Sequence, residues 1–375
     1  MASFVLGWYV PAFIAEQQMN QAAIPTEPIG SIPRPTALIE AIAKAGDHHA
    51  PSLEPLYDEA IRDTIAKFEA TGSPVITDGE QRKYHNFWTY SVDGAANTAQ
   101  DGFKIPFAAG QVRRMPRLTR GPFRYRVYAD QYLEYARRRT TLPLKQAVIS
   151  PSALSLMYPV EELDGYSRQQ FIDDLLREHE TEVRRCLARG AHKVQIDFTE
   201  GRLAIKLDPT GNLLNSFIGL NNLVLSRFSP QERERIGVHT CPGGDCDSTH
   251  SADVDYGELL PSLFELRAGN FYIALAGEKD RVHVLKIIRK YLRPEQKAFV
   301  GVVSPIEPRV DSAEEVCDRI LEAAEYIPLR QLGTTDDCGY SPFSDDTSTT
   351  REMAFAKIRA RVEGTQLAAK KLKLS

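Results

Sequence analysis

Two kinds of apolar pattern alternate along this chain. Short β-like runs occupy Pro74 to Thr77, Gln146 to Ile149, Lys193 to Ile196, Ile236 to Thr240, Phe271 to Leu275 and Phe299 to Val303. Longer stretches between them repeat their apolar residues at helical spacing. In Ser167 to Leu187, for example, Phe171, Ile172, Leu175, Leu176 and Val183 fall on one face. Acidic residues come early in that stretch and arginines late, as the helix dipole favours. Ser312 and Glu315 form the Ser-x-x-Glu signature of a capped start and predict a helix from Ser312 to Tyr326. Thr349 to Leu374 reads as one long, basic, closing helix. Pro106 to Arg139, rich in aromatics and arginine, is assigned no further than a hairpin or excursion.

Strands alternating with helices are the pattern of a parallel α/β architecture. Eight or nine strand candidates fit a (β/α)8 TIM barrel with a short N-terminal extension. A doubly wound open sheet is the alternative. Its nucleotide-binding versions lose their main support, because no GxGxxG follows the first strand and no P-loop occurs. Residues 1–28 are expected to form an N-terminal arm and residues 29–375 the catalytic barrel. The arm would pack on the barrel or on the partner subunit of a homodimer.

Composition narrows the function. A hydrophobic fraction of 42% with 26% charged residues belongs to a globular chain with a large core. The net charge of −4 and the shortness of the runs Arg113-Arg114 and Arg137-Arg138-Arg139 argue against nucleic acid. No window approaches the roughly 18 apolar residues of a membrane span. The apolar start, Met1 to Ala15, has no basic residue and is broken by Pro11, unlike an export signal, so a cytoplasmic location is expected. The cysteines Cys186, Cys241, Cys246, Cys317 and Cys338 are odd in number and lack small-scaffold spacing. They suggest burial or metal binding before disulfides.

The chemistry concentrates at strand ends, where α/β barrels build their active sites. Four of these ends carry Asp78-Gly79-Glu80, Asp197, His239-Thr240-Cys241 and Asp336-Asp337-Cys338-Gly339. His239 and Cys241 stand two apart on a strand, so both side chains project from one face. Imidazole and thiolate are zinc ligands, and Cys338 could add a third with one position left open. An H-x-C pair alone more often marks a satisfied histidine beside a buried thiol.

The run Gly237-Val-His-Thr-Cys-Pro-Gly-Gly-Asp-Cys-Asp-Ser-Thr-His250 resembles the H-x-C strand end of cobalamin-independent methionine synthases and their barrel-only relatives. Asp336-Asp-Cys-Gly339 looks like that family's second cysteine motif, and Ile29-Gly-Ser-Ile-Pro-Arg-Pro35 is similar to its first strand end. Thr77-Asp-Gly-Glu-Gln-Arg82 resembles its second strand end, and Val194-Gln-Ile-Asp197 its fifth. The resemblance implies zinc on His239, Cys241 and Cys338. It further implies Asp197 and Glu80 on the ammonium of an amino-acid thiol such as homocysteine, and the backbone around Gly30 and Ser31 on its carboxylate. A thiol of pKa near 8.5 is mostly protonated at neutral pH, and coordination to zinc would ionise it.

The chain also departs from the family. Its synthases supply a glutamate ligand on the strand after the H-x-C strand, where Ala274 or Leu275 stands here. Glu278, Cys246, His250 or the substrate itself are the candidates for the fourth position. Asp197 is followed by Phe198-Thr199-Glu200 where the synthases have Glu-Pro. Tyr84, His85, Phe87 and Trp88 are expected to wall the pocket or pack in the core. Ser150, Ser152 and Tyr158 are read as pocket lining. His48-His49 and His283 are read as solvated, and Cys186 and Cys317 as inert buried thiols.

The expected function is zinc-dependent methyl transfer to a small-molecule thiol. Alternatives are other zinc-thiol chemistry in the same pocket, such as thiol addition to an epoxide as in coenzyme M transferases, or thioether cleavage. A non-catalytic zinc-binding protein is the second alternative. The resemblance spans the catalytic barrel and not the family's N-terminal folate-associated half. The expected donor is therefore a small activated methyl compound or a methyl-carrying partner protein, with poor transfer from free methyltetrahydrofolate polyglutamates.

Overall fold

In the computed structural model, which describes residues 23–83, 87–107, 110, 112–243 and 249–374, six strands hydrogen-bond in parallel. They are Lys145–Ile149, Lys193–Asp197, Ile236–Thr240, Asn270–Ile273, Lys297–Val303 and Leu332–Asp336, neighbours in space in the order of the chain. Each is buried along nearly its whole length, which is why apolar runs rather than alternation mark them in the sequence.

Two further extended segments complete the wall. Thr26 pairs in parallel with Thr334, and Ile76 with Leu144. Where these two segments meet, the Ile32 N–H donates to the Gly79 carbonyl at 3.0 Å and the Thr77 hydroxyl to the Gly30 carbonyl at 2.7 Å. The result is the eight-stranded (β/α)8 barrel expected from the pattern. The first 22 residues of the arm expected over 1–28 lie outside the described residues, and Thr26 and Glu27 already run beside the last strand.

Register sets the level of the active groups. Ile149 pairs with Asp197, Asp197 with His239, and His239 with Tyr272, so Asp197 and His239 sit side by side at one height. The expected helices form around this sheet. Arg168–Ala188 starts at a capping box of Ser167 and Gln170, and Ala313–Ala324 at one of Ser312 and Glu315. Arg351–Lys371 is the last helix, and three of its basic residues, Arg351, Lys357 and Arg361, are buried against the barrel. Lys357 donates to the carbonyls of Ser304, Glu307 and Arg309, and Arg361 lies 3.3 Å from Asp336.

The irregular segment contains the expected hairpin, Lys104–Pro106 against Val112–Arg114, and then the helix Asp130–Arg137. Its arginines pair with surface acids: Arg113 with Asp345, Arg117 with Asp101, Arg138 with Glu134 and Arg139 with Asp58. Such exposed pairs contribute at most about 1 kcal/mol each. Among the described residues, no helix is long and apolar enough to cross a membrane.

His179, fully buried on Arg168–Ala188, bonds the Ile149 carbonyl at 3.0 Å, and burial pulls its pKa down to about 4. The folded imidazole thus stays neutral while the unfolded chain takes up a proton below about pH 6.5. Stability from this residue is complete above pH 6.5 and falls as the pH drops toward 4, by about 3 kcal/mol in all. Urea unfolding across this range should show His179→Gln losing less stability than wild type on acidification. Parallel curves would contradict the assignment.

Candidate metal centre

His239 and Cys241 leave the Ile236–Thr240 strand on the same face, as their spacing requires, and Cys338 arrives from the loop after Leu332–Asp336. The three ligand atoms lie within 4.8 Å of one another, and all three residues are buried. His239 Nε2 is 3.5 Å from the Cys338 sulfur, and the two sulfurs are 2.7 Å apart. On the other side of the ring, Nδ1 is 3.2 Å from the Tyr272 carbonyl. A carbonyl only accepts, so Nδ1 carries a hydrogen and Nε2 is the nitrogen turned to the sulfurs, where the neighbouring Cys241 favours a proton on it until a metal takes its place. Metal-binding histidines are fixed in this way.

The two thiols are held in different states. Burial pushes Cys338 well above the ordinary thiol range, and the neighbouring Cys241 adds to the rise. Burial also opposes ionisation of Cys241, but the hydrogen bond from Cys338 and the charge of His239 outweigh it and bring Cys241 well down. Two buried cysteine sulfurs and an imidazole nitrogen this close make a zinc-type donor set once a metal displaces their protons. Tetrahedral zinc separates such atoms by roughly 3.3–3.8 Å, within reach of the spacing found. Close packing allows it: a Cβ on Gly339 would meet Ser31 Oγ at 2.1 Å, so only glycine lets the Cys338 loop abut the first strand end.

Opposite the cysteines stand the two expected carboxylates. Asp197 ends the Lys193–Asp197 strand, accepts from the Gln195 amide at 2.8 Å, and is raised to about 6 by burial. Glu80 reaches the same cavity through an unusual backbone, φ +60°, directly after Gly79 at φ +71°. A left-handed non-glycine residue stores about 1–3 kcal/mol of strain and persists only when its surroundings hold it. Here Asp78 accepts from the Glu80 N–H at 2.8 Å, and Arg34 donates to the Glu80 carbonyl at 2.8 Å. Ser31 also lines the cavity, with Gly30 one residue behind it giving its carbonyl to Thr77.

Three features are not legible in the sequence. Lys83 is fully buried, with its ammonium 3.3 Å from Glu80 Oε1, 3.2 Å from the Ala147 carbonyl and 4.9 Å from the Tyr90 ring centre. Its charge also favours ionised Asp197. A Glu-x-x-Lys spacing in a polar loop gives no hint of this burial. Phe107 and Phe343 join the anticipated Phe87 and Trp88 as the apolar wall of a cavity of about 50 Å³, with ring centres 5.4–6.3 Å apart. Ser150 and Ser152, read as pocket lining, instead donate to the buried carboxylate of Glu200. Tyr158 bonds the Tyr166 carbonyl.

The fourth-ligand candidates separate clearly. Glu278 is 2.6 Å from Arg202. Cys246 lies outside the described residues, as do Tyr84 and His85. His250 lines the cavity beside His239, Cys241 and Cys338. Cys186 and Cys317 are buried on helices, away from this cluster, as expected.

With this geometry in place, likeness to known proteins is informative. The profile of a family described as "Cobalamin-independent synthase, Catalytic domain" matches residues 24–365. A methionine synthase of Saccharolobus solfataricus is 23% identical over 363 residues, covering 93% of this chain and 96% of that protein. A 5-methyltetrahydropteroyltriglutamate–homocysteine methyltransferase of Herpetosiphon aurantiacus is 25% identical over 96% of this chain, which spans 46% of that longer protein. The solved B12-independent methionine synthase of a Shewanella species superposes with a TM-score of 0.73 at 19% identity, over 94% of this chain and 99% of that one.

Lys83→Met should strip the buried carboxylates of their cation and cost about 3–5 kcal/mol of stability in urea unfolding. Lys83→Arg should keep most of it. A loss under about 1 kcal/mol in Lys83→Met would show that the carboxylates do not depend on this lysine.

Proposed function

The chain belongs to the cobalamin-independent methionine synthase family, matching its catalytic domain, and we propose that it transfers a methyl group to the sulfur of an amino-acid thiol such as homocysteine, with zinc held by His239, Cys241 and Cys338. The observation that carries this reading is the convergence of those three donors, buried and within 4.8 Å, on one cavity that also receives Glu80 and Asp197. When bound, zinc lowers the pKa of a coordinated thiol so that it reacts as thiolate near neutral pH.

The chain's own residues supply binding and orientation. Glu80 and Asp197 present two carboxyl groups to the cavity, a complement for a substrate ammonium, while Lys83 supports them from behind. A sulfonate-bearing thiol would meet repulsion there, which favours the amino-acid thiol over the coenzyme M type. Lys83 holds Glu80 in place while its own charge stays behind the cavity wall. Ser31 stands at the first strand end, where a substrate carboxylate would lie. Phe87, Trp88, Phe107 and Phe343 exclude water from the opposite side, where the donor's methyl bond breaks as the sulfur–carbon bond forms. Donor identity rests on the same wall: an apolar face takes a carbon electrophile without competing for the thiolate.

Elemental analysis of purified protein should find about one zinc per chain, with a marked loss in Cys338→Ala. Full occupancy in that variant would remove Cys338 from the site. Asp197→Asn should weaken homocysteine binding by roughly 1.5–3 kcal/mol, about 10- to 150-fold, with zinc content unchanged. Equal losses of metal and thiol affinity would place Asp197 in the metal site and overturn its assigned role.

A further inference from the structure

We propose that His250 is a fourth protein ligand of this metal centre, in the role for which Glu278 is not free; the inference rests on the zinc reading above. Glu278 is committed to Arg202, whose fully buried guanidinium also lies 4.4 Å from the Tyr256 ring centre. Drawing the carboxylate away would strand a buried cation. Just after the Asn270–Ile273 strand stand Ala274 and Leu275, and neither has a donor side chain.

His250 is placed by the backbone. The N–H groups of His250 and Ser251 both donate to the Pro242 carbonyl, at 2.9 and 3.3 Å. That clasp fixes His250 beside the residue that follows Cys241. Its carbonyl accepts from the Lys206 ammonium at 3.2 Å, which anchors the same turn from outside. The ring packs 6.1 Å from Phe107 and lines the same cavity, just outside the 4.8 Å cluster of the other three donors, so a shift of the side chain would bring it to the metal. Its Nδ1 is buried and has no hydrogen-bond partner among the described residues. Buried polar atoms are nearly always satisfied, so an unpartnered imidazole nitrogen on a residue that lines the same cavity as two cysteines and a histidine is a donor open to a cation. Two histidines and two cysteines are a common zinc set, which an arriving thiol would enter by displacing one ligand or by expanding the coordination to five.

The test uses zinc-loaded full-length protein and two readouts independent of activity. X-ray absorption at the zinc edge counts imidazoles by their outer-shell scattering, and competition with a chelator measures affinity. Wild type should show two imidazoles and His250→Ala one, with zinc affinity at least about 100-fold weaker, since even partners one shell further out cost 10- to 100-fold. His250→Cys should regain tight binding with one more sulfur, which separates loss of a ligand from loss of fold. A single imidazole in wild type, or unchanged affinity in His250→Ala with zinc present, overturns the inference and leaves the zinc reading standing. Wild type that binds no zinc overturns both.

Discussion

Negative charge taken out of water at the strand ends is the constraint around which this molecule is arranged. Asp78, Asp197, Asp336 and Asp337 are all buried there, and burial raises the pKa of each. Each therefore requires an answering group. Asp337 accepts from the backbone N–H groups of Leu275, Ala276 and Gly277 at 2.7–2.8 Å, which ties the last strand loop to the loop after Asn270–Ile273. Asp336 is met by Arg361 of the closing helix, and Asp197 and Glu80 by Lys83. Among the described residues the Cys241 sulfur is met by the Cys338 thiol and by His239, and a divalent cation would complete that balance.

The same requirement explains parts of the fold that look remote from the site. The closing helix carries Arg351, Lys357 and Arg361 inward, so its basic character is spent on Asp63, on loop carbonyls and on Asp336. Arg34 holds the carbonyls of both Glu80 and Lys83, fixing the left-handed turn that delivers one carboxylate and one ammonium to neighbouring positions. The aromatic wall, drawn from three separate stretches of chain, keeps the dielectric low, and low dielectric makes each of these pairings strong.

Much of this is legible in the sequence wherever a residue type interrupts a periodic pattern. His239 and Cys241 break an apolar strand at period two, and Ser312 with Glu315 announces a helix start; the structure bears out both placements. Cys338 and Asp197 are found through motifs in family order, because no local pattern says which strand ends meet. What escapes the sequence is pairing at a distance. Glu278 reads as a potential ligand until Arg202 is seen beside it, and nothing in the sequence around Lys83 shows that the Gly79–Glu80 turn buries its ammonium beside Glu80. Phe107 sits in a stretch with no clear periodicity, and only the hairpin shows why it reaches the site.

The claim that carries the account is that a buried His/Cys/Cys centre ionises an amino-acid thiol presented to it by carboxylates. Titration calorimetry of homocysteine into the zinc-loaded protein, in two buffers of different ionisation enthalpy, measures the protons released per thiol bound. Near neutral pH the account predicts release of about one proton, because the free thiol of pKa near 8.5 is mostly protonated and the bound one is not. Zinc-free protein should release none. Binding of equal strength with no proton released, with or without zinc, would contradict the account.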